Sequence, residues 1–332
     1  MAGCRCGWVD GEGGCFVGVA ERVDEVVRAG RAPQLHGLVV MRDGRVEVER
    51  YGAGRDHHLG EDLGHVVFGR DTLHDLRSVS KSVVALVYGI AVGEGLVPGP
   101  GESLVGQFPE YSDLGADPQR GRLTVEHALT MTLGLEWDES LPYTDPANGE
   151  IAMELAPDRY RYVLGRPIVE APGERWSYCG GASALIGAII ARGTGRALEE
   201  YAAERLFKPL GISRYAWGKG SDGVAAAASG LRLRPVDLAA IGQLVLDGGR
   251  DIVPGAWIQE MLRPRVVIEA GFEYGYQWYL STGERRWVEG IGNGGQRLLV
   301  APEEGLVVAV TAGEYDQAQA SAGAVLDAVL NR

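Results

Sequence analysis

The sequence predicts an α+β fold in which both chain ends contribute to one antiparallel sheet and the middle of the chain is helical. Each end contains a pair of hairpin-like strands, the segment between them has helical periodicity, and 45% of the 332 residues are apolar. We expect a sheet lobe from residues 18–95 and 235–332, flanked by helices. Residues 96–234 are expected to form an inserted all-helical lobe, with a ligand cleft between the two lobes.

The N-terminal part of this lobe begins with an amphipathic helix. Residues 18–30 place valines on one face and charged side chains on the other, and the pattern stops at a glycine. Residues 37–41 and 45–49 then flank an Arg-Asp-Gly turn at 42–44, which is typical of a β-hairpin.

A second hairpin is predicted near the C-terminus, where strands at 297–300 and 306–310 flank a turn at 301–305. A closing helix follows over residues 317–330. We expect the two hairpins to share one sheet. Between them, the helical patterns lie at residues 124–131, 157–164, 181–192, 198–206 and 235–246. The aromatic segment 274–279 is predicted to be a strand.

The charge balance argues against nucleic acid or an anionic membrane as a partner. The chain has 32 Lys plus Arg against 45 Asp plus Glu, a net charge of −13, and no run of basic residues. The longest apolar run, residues 83–92, is far shorter than the roughly 20 residues that span a bilayer. Asp10 and Glu12 interrupt the region where a secretory signal would be apolar, so we expect a cytoplasmic protein.

The cysteines do not predict a metal centre or a disulfide framework. They are Cys4, Cys6, Cys15 and Cys179, and they form no CxxC pair and no four-ligand spacing typical of zinc. We expect reduced thiols and neither a metal nor a cofactor.

Common hydrolase signatures and the dinucleotide fingerprint are not supported. There is no HExxH and no GxSxG, and the six histidines all lie in the first 127 residues, too early for the base of an α/β-hydrolase triad. Residues 218–223 match GxGxxG, but no strand or βαβ unit surrounds them, so a loop is the better interpretation.

A Ser-x-x-Lys sequence, Ser78 to Lys81, provides the catalytic hypothesis. Residues three apart share a helix face, and a serine at a helix start gains an N-terminal dipole that favours negative charge on its oxygen. The apolar helix that follows would bury Lys81 and lower its pKa, which would let it accept the proton of Ser78. The alternative is that Ser78 caps a core helix and Lys81 is a surface cation, since the pattern can arise by chance.

Two further segments support a catalytic interpretation of the Ser-x-x-Lys motif. One is Pro172-Gly-Glu-Arg-Trp-Ser-Tyr178-Cys-Gly-Gly181 before a helix, and the other is Gly292-Asn-Gly-Gly-Gln296 before the last hairpin. With Leu129-Thr-Met-Thr-Leu-Gly-Leu135, these motifs make residues 20–330 resemble the serine β-lactamase and penicillin-binding-protein superfamily. The resemblance is closest to its class C-like esterases, amidases and transacylases, and it implies a β-lactamase-like fold.

The resemblance implies a role for each motif residue. Ser78 would attack an acyl carbon, and Tyr178 would take its proton and return it to the leaving group. Lys81 would stabilise the phenolate, because an unperturbed tyrosine pKa of about 10 is too high for a base. The alternative for Tyr178 is a core tyrosine.

The third motif is assigned to the oxyanion hole and to substrate approach. The backbone N–H groups of Ser78 and Gln296 would form the oxyanion hole. Gly294 and Gly295 would let substrate approach the strand closely. The alternative for this segment is a plain β-turn.

Two positions depart from the family pattern and concern substrate binding. Gly180 stands where the family's Tyr-x-Asn has an amide, and Asn293 stands where the family has Lys or His. A neutral Asn293 argues against efficient recognition of a β-lactam carboxylate, although Arg297 could supply a replacement charge or form a salt bridge instead. Tyr143, in the loop before Tyr178, is implied to reach the cleft, with a surface turn as the alternative.

We therefore expect a serine hydrolase that acts on a small ester or amide through a Ser78 acyl-enzyme. The alternative is a transacylase of secondary metabolism in which an amine or alcohol accepts the acyl group, and a non-catalytic binding module is a third hypothesis. The expected partner is a small-molecule acyl substrate, with an amine acceptor in the transfer alternative. The oligomeric state stays open.

Overall fold

The computed structural model describes residues 18–59 and 61–331. The predictions made for Asp10, Glu12 and the three N-terminal cysteines therefore lie outside the described residues. Within the described part, no helix combines the length and the apolar character needed to cross a membrane.

Within the described residues, the main sheet has eight antiparallel strands in the order β2-β1-β13-β12-β11-β10-β9-β8. A two-stranded sheet joins β3 and β4, and a small sheet has the order β5-β7-β6. In the described residues the strands are β1 (Leu35–Arg42), β2 (Arg45–Tyr51), β3 (Ala53–His58), β4 (Glu61–Val67), β5 (His74–Asp75), β6 (Ala216–Trp217), β7 (Leu231–Leu233), β8 (Val266–Glu269), β9 (Phe272–Tyr274), β10 (Tyr279–Ser281), β11 (Trp287–Gly292), β12 (Gln296–Ala301) and β13 (Leu306–Ala312).

The helices lie mostly between β5 and β8 along the chain. The described α-helices are α1 (Val19–Arg28), α2 (Val79–Gly93), α3 (Ser112–Gly115), α4 (Val125–Leu129), α5 (Gly149–Leu155), α6 (Arg159–Leu164), α7 (Gly180–Thr194), α8 (Leu198–Ala202), α9 (Pro235–Leu246), α10 (Gly255–Met261) and α11 (Ala320–Leu330). Short 3-10 turns occur at Val105–Gln107, Pro109–Tyr111, Arg120–Arg122 and Pro302–Glu304, and a π-helical turn follows α8 at Ala203–Phe207.

The two predicted hairpins share one sheet, because β1 pairs with β2 on one side and with β13 on the other. This arrangement confirms the predicted α+β fold. Both faces of β1 are buried, and its side chains alternate between them: Leu38 and Val40 pack with α1 and α11, whereas Val39 faces the larger core.

Helix α2 is apolar on nearly every side because other elements surround it. Its residues from Val79 to Ala91 are all buried. Strand β11 comes so close that a Cβ at Gly290 would lie 2.9 Å from Ser82 Oγ. On another side, Trp257 Nε1 of α10 donates to the carbonyl of Ala85 at 3.0 Å. The helix that carries Ser78 at its start is thus fixed between the sheet and the other helices.

Gln277 connects three of these elements within the core. Its backbone carbonyl accepts from Ser82 Oγ at 2.8 Å, and its Oε1 accepts from Ser183 Oγ of α7 at 2.5 Å. Its Nε2 donates to the carbonyls of Ala128 and Leu129 of α4 at 3.0 and 3.1 Å. These bonds fix α2 relative to α7, whose start follows Tyr178.

Two local predictions differ from the structure, and one helix near the site had no prediction. The predicted single strand at 274–279 is wrong, because β9 ends at Tyr274 and β10 begins at Tyr279, with Gln277 between them at φ 60°. The predicted helix at 157–164 begins two residues later, because the Asp158 side chain accepts from Arg161 N and caps it. Helix α5 was not predicted at all.

Candidate active site

Ser78 lies at the N-terminus of α2 in a tightly constrained turn. The preceding residue, Arg77, has φ 46°, and its backbone N–H donates to Asp75 Oδ1 at 2.9 Å. The guanidinium of Arg77 pairs with the other carboxylate oxygen at 3.0 Å, and the Asp75 carboxylate is fully buried. The turn holds Ser78 at the helix start with 8% of its surface exposed.

Lys81 contacts Ser78 directly and is almost completely buried, with 2% exposure. Its Nζ donates to Ser78 Oγ at 3.0 Å, to the carbonyl of Ala228 at 2.7 Å and to Glu150 Oε2 at 3.4 Å. An ammonium group has three hydrogens and no acceptor, so Lys81 acts toward these oxygens as a donor only. The geometry is that of a cation that donates to the serine oxygen.

The predicted net fall in the pKa of Lys81 is wrong. Burial does pull the pKa down, but the negative charges of Glu150, of a Tyr178 phenolate and of Glu139 outweigh it, so the pKa of Lys81 lies above its ordinary value. Lys81 therefore remains protonated at neutral pH. A base for Ser78 has to be found elsewhere.

Tyr178 lies beside both residues, immediately before α7. Lys81 Nζ lies 5.0 Å from the centroid of its ring, and the Ser78 side chain is near enough to lower the pKa of the Tyr178 hydroxyl. Burial raises the pKa of Tyr178; the Lys81 cation lowers it, Glu139 and Glu150 raise it, and the Ser78 contact lowers it, with a net rise. A Tyr178 phenolate therefore depends on the adjacent ammonium.

Glu139 belongs to the site, although no sequence motif indicated it. Its Oε1 accepts from the backbone N–H of Gly180 at 2.5 Å and from Trp137 Nε1 at 2.6 Å. Gly180 is the first residue of α7, where a carboxylate is stabilised by the helix dipole. Burial and the charge of Glu150 nevertheless raise the pKa of Glu139, and Lys81 opposes this shift.

Glu150 is the second acidic residue that the sequence did not reveal. It lies in the first turn of α5 with 2% exposure, and the Asn148 side chain caps that helix by accepting from Glu150 N at 3.0 Å. A buried carboxylate requires a partner, and Lys81 supplies one. No sequence pattern links the two residues, because Glu150 is 69 residues from Lys81 and belongs to no motif with a fixed spacing.

Tyr143 is half-buried next to the same carboxylates. Its hydroxyl donates to Glu139 Oε2 at 2.8 Å. Burial raises the pKa of Tyr143, and negative charge on Tyr178, Glu139 and Glu150 raises it further. The structure thus places Tyr143 in the polar cluster beside Tyr178, with its hydroxyl directed to Glu139.

The third motif forms the turn between β11 and β12. A Cβ at Gly292 would lie 2.6 Å from the carbonyl of Leu76, so the end of β11 touches the segment before Ser78. Gly294 and Gly295 have φ 91° and 88°, a region that favours glycine.

Gln296 begins β12 and contributes to this turn through its side chain. Its Nε2 donates to the carbonyl of Ala312 at 2.8 Å, and its Oε1 accepts from Ala312 N at 3.0 Å. The side chain therefore has a structural role on β13. Any role of Gln296 toward a substrate has to come from its backbone.

Asn293 and Arg297 are engaged with protein partners. Asn293 Nδ2 donates to Asp316 Oδ1 at 2.6 Å, and Asn293 Oδ1 accepts from Asp316 N at 2.8 Å. Arg297 donates to Gln319 Oε1 at 2.7 Å and lies 3.7 Å from Glu289. The salt-bridge alternative for Arg297 is the one that the structure shows.

Aromatic rings form a wall on the side of Tyr178 that faces β9 and β10. The centroid of Trp176 lies 6.1 Å from that of Tyr178, 5.7 Å from that of Tyr274 and 6.2 Å from that of Tyr279. Tyr274 is buried in this cluster, whereas Tyr279 keeps partial exposure. This aromatic wall provides apolar surface next to the candidate base.

These features place the chain in a known class of enzymes. A family model described as Beta-lactamase matches residues 20–330, and the chain belongs to this family. The resemblance seen in the motifs is thereby confirmed, and the protein is an enzyme of the β-lactamase-like serine hydrolases.

The proteins that this chain is similar to include hydrolases, one of which is described as also having acyltransferase activity. The 6-aminohexanoate-dimer hydrolase of Paenarthrobacter ureafaciens is 26% identical over 299 residues, which cover 82% of this chain and 70% of that protein. EstCE1, described as a hydrolase with promiscuous acyltransferase activity, has a TM-score of 0.78 at 16% identity, with 94% of this chain and 98% of EstCE1 covered. A simvastatin synthase mutant from Aspergillus terreus has a TM-score of 0.67 at 19% identity, with 94% and 92% covered. At these identities the two structural matches show a common fold.

Proposed function

We propose that this protein hydrolyses a small ester or amide through an acyl-enzyme on Ser78. The observation that carries the proposal is the contact of one buried ammonium, Lys81, with both Ser78 and Tyr178. A serine hydroxyl is a weak nucleophile unless an adjacent base takes its proton. Tyr178 is the neighbouring group that can do so when Lys81 stabilises its phenolate.

In the proposed reaction, Ser78 Oγ attacks the acyl carbon while its proton passes to the Tyr178 phenolate oxygen. Lys81 stays protonated throughout and donates a hydrogen bond to the serine oxygen. The tetrahedral intermediate collapses when Tyr178 returns the proton to the leaving alcohol or amine. Water then attacks the acyl-enzyme, Tyr178 takes its proton, and the proton is finally transferred to Ser78 as the acid departs.

The oxyanion would be held by the backbone N–H groups of Ser78 and Gln296, and this assignment stays a prediction. Its support is the close packing of the β11 end against the segment before Ser78. The turn at Gly294 and Gly295 adds no side chain at the start of β12. A donor of this kind contributes a factor of roughly 10²–10³ to the rate.

The charges around the site favour acyl groups without a carboxylate. Asn293 is neutral and bonded to Asp316, while the charge of Arg297 faces Glu289. Next to Ser78, the charge of Lys81 is balanced by Glu150. A substrate carboxylate would have to displace one of these partners, so we propose a neutral small substrate rather than a β-lactam.

Acyl transfer is the second candidate function. In it, an amine or alcohol acceptor replaces water in the second half of the reaction and Tyr178 takes the acceptor proton. It is supported by EstCE1, which has the same fold and is described as having promiscuous acyltransferase activity. The chemistry at Ser78 is common to both functions, so product analysis has to separate them.

Intact mass spectrometry after incubation with a fluorophosphonate or an activated ester tests the proposal. We expect one adduct on the wild type, its loss in Ser78→Ala and its retention in Ser213→Ala, a matched control at an exposed serine. A wild type that forms no adduct from neutral to alkaline pH would refute the acyl-enzyme and favour a binding module. Added amines then test transfer, since a new amide formed at the expense of free acid identifies a transacylase.

A further inference from the structure

We propose that Glu150 is a positioning residue: its carboxylate occupies the space beside Gly180 and holds the Lys81 ammonium against Ser78. This inference rests on the proposed acyl-enzyme function of Ser78 and deepens it. In the family pattern an amide side chain stands at position 180. The geometry indicates that here a carboxylate from another helix fills that place.

The space at Gly180 is occupied by Glu150. A Cβ built at Gly180 would lie 3.0 Å from Glu150 Cδ and closer still to its Oε2, and 3.1 Å from Glu139 Oε1. Gly180 does not have a positive φ, so its backbone conformation suits any residue. A side chain at this position would therefore require the Glu150 carboxylate to move.

Glu150 provides one of the three acceptors that surround the Lys81 ammonium. The other two are the oxygens of Ser78 and Ala228, from α2 itself and from the segment before β7. Glu150 comes from α5, whose start is fixed by Asn148. A flexible lysine side chain is thus held from three directions, with one hydrogen directed to the serine oxygen.

Glu150 also affects the pH at which Ser78 becomes reactive. The Lys81 ammonium and the Tyr178 hydroxyl together must lose one proton before Ser78 can react, and such a coupled pair titrates as a unit. A nearby negative charge opposes that loss. The groups that face this pair from neighbouring elements are Glu150 on α5, Glu139 and Tyr143 before α5, Cys179 beside α7, and Tyr274 and Tyr279 on β9 and β10.

The first test measures the rate of fluorophosphonate labelling of Ser78 against pH, by intact mass. In Glu150→Gln we expect the maximal labelling rate to fall at least about ten-fold, because Lys81 is held less firmly. The rising limb of the plot of rate against pH should move to lower pH by roughly one pH unit or more, because a negative charge is removed. Glu150→Asp keeps the charge and should keep the limb near its wild-type position. The control Glu200→Gln, at an exposed glutamate of α8, should match the wild type.

The second test asks whether Gly180 and Glu150 share one space. Gly180→Ala alone should lower the labelling rate at least about ten-fold, because its Cβ displaces the carboxylate. In the Glu150→Ala background the same substitution should change the rate less than about two-fold. Such non-additivity is the signature of residues in contact.

The outcomes separate this inference from the proposed function. A wild type that is never labelled refutes the function. The inference is overturned if Glu150→Gln is labelled with the pH profile of the wild type, or if Gly180→Ala has equal effects in both backgrounds. Neither result would contradict the proposed function. Should Gly180→Ala fail to fold, the pH profile of Glu150→Gln decides alone, with circular dichroism to verify folding.

Discussion

Replacing Lys81 by methionine should destabilise the folded protein strongly, because it leaves the Glu150 carboxylate buried without its cation. Both side chains are at most 3% exposed and their charged atoms lie 3.4 Å apart. At an effective dielectric constant near 20, charges at this distance attract by about 5 kcal/mol. Breaking a buried pair from one side typically costs about 3–5 kcal/mol.

The expected loss can be expressed as a melting temperature. A chain of this size loses roughly 2 °C in Tm per kcal/mol, so Lys81→Met should melt about 6–10 °C below the wild type. The double variant Lys81→Met/Glu150→Gln removes the unpaired charge and should recover most of that loss. It should stay unreactive toward fluorophosphonate, since Tyr178 would lack its cation.

Thermal melts and urea unfolding at neutral pH provide the assay for these variants. The reasoning is refuted if Lys81→Met is as stable as the wild type, or if the double variant is no more stable than Lys81→Met. Glu139 offers a useful contrast, because its carboxylate accepts from Gly180 N, Trp137 Nε1 and Tyr143 OH and does not depend on Lys81 alone.

Three further predictions concern proton transfer, the lysine side chain and acid stability. Tyr178→Phe should reduce the rate of acyl-enzyme formation by roughly 10²–10⁴, and near-wild-type kinetics would exclude Tyr178 as the base. Lys81→Arg should abolish labelling of the serine while Lys208→Arg leaves it unchanged, and labelling of both at equal rates would contradict the assigned role. Burial lowers the pKa of His36 to about 4 and that of His74 to about 3. The contribution of these two neutral histidines to the free energy of unfolding is therefore fully present above about pH 6.5 and is lost as the pH falls toward 4. In urea unfolding, the free energy of unfolding should fall less steeply between about pH 6.5 and 4 in His36→Leu than in the wild type. An equal dependence on pH in the two proteins would contradict this role of His36.

The parts of the fold that depend on local pattern were predictable. The apolar run of β1, the alternation in β2 and the Asp43-Gly44 turn specify a hairpin from adjacent residues alone. The strand predicted at 274–279 failed because Gln277 turns inward and bonds to α2, α4 and α7. Those partners are distant in sequence, so no local pattern could report them.

In the candidate site, too, contacts between residues close in sequence were predictable and contacts between distant residues were not. Ser78 and Lys81 are one helical turn apart, so their spacing predicts the contact that the structure shows at 3.0 Å. The carboxylates of Glu139 and Glu150 reach Lys81 only through the tertiary fold. Without these carboxylates burial would lower the pKa of Lys81, which is why the sequence pattern predicted the wrong direction for this shift.

That correction changes why a lysine is needed at position 81. If Lys81 served as a base, arginine would fail because a guanidinium does not lose its proton. Since Lys81 stays charged, arginine must fail for a geometric reason. The ammonium directs three hydrogens to Ser78 Oγ, Ala228 O and Glu150 Oε2, which come from three different segments.

A guanidinium is planar and larger, and its donors form a rigid fork suited to one carboxylate rather than to three separate acceptors. In a site with 2% exposure the extra volume would also displace Glu150 or the chain at Ala228. A primary amine at this position should therefore be sufficient, so Lys81→Cys alkylated with bromoethylamine should label with fluorophosphonate. Lys81→Arg should not label, and labelling of Lys81→Arg at the wild-type rate would contradict the geometric explanation.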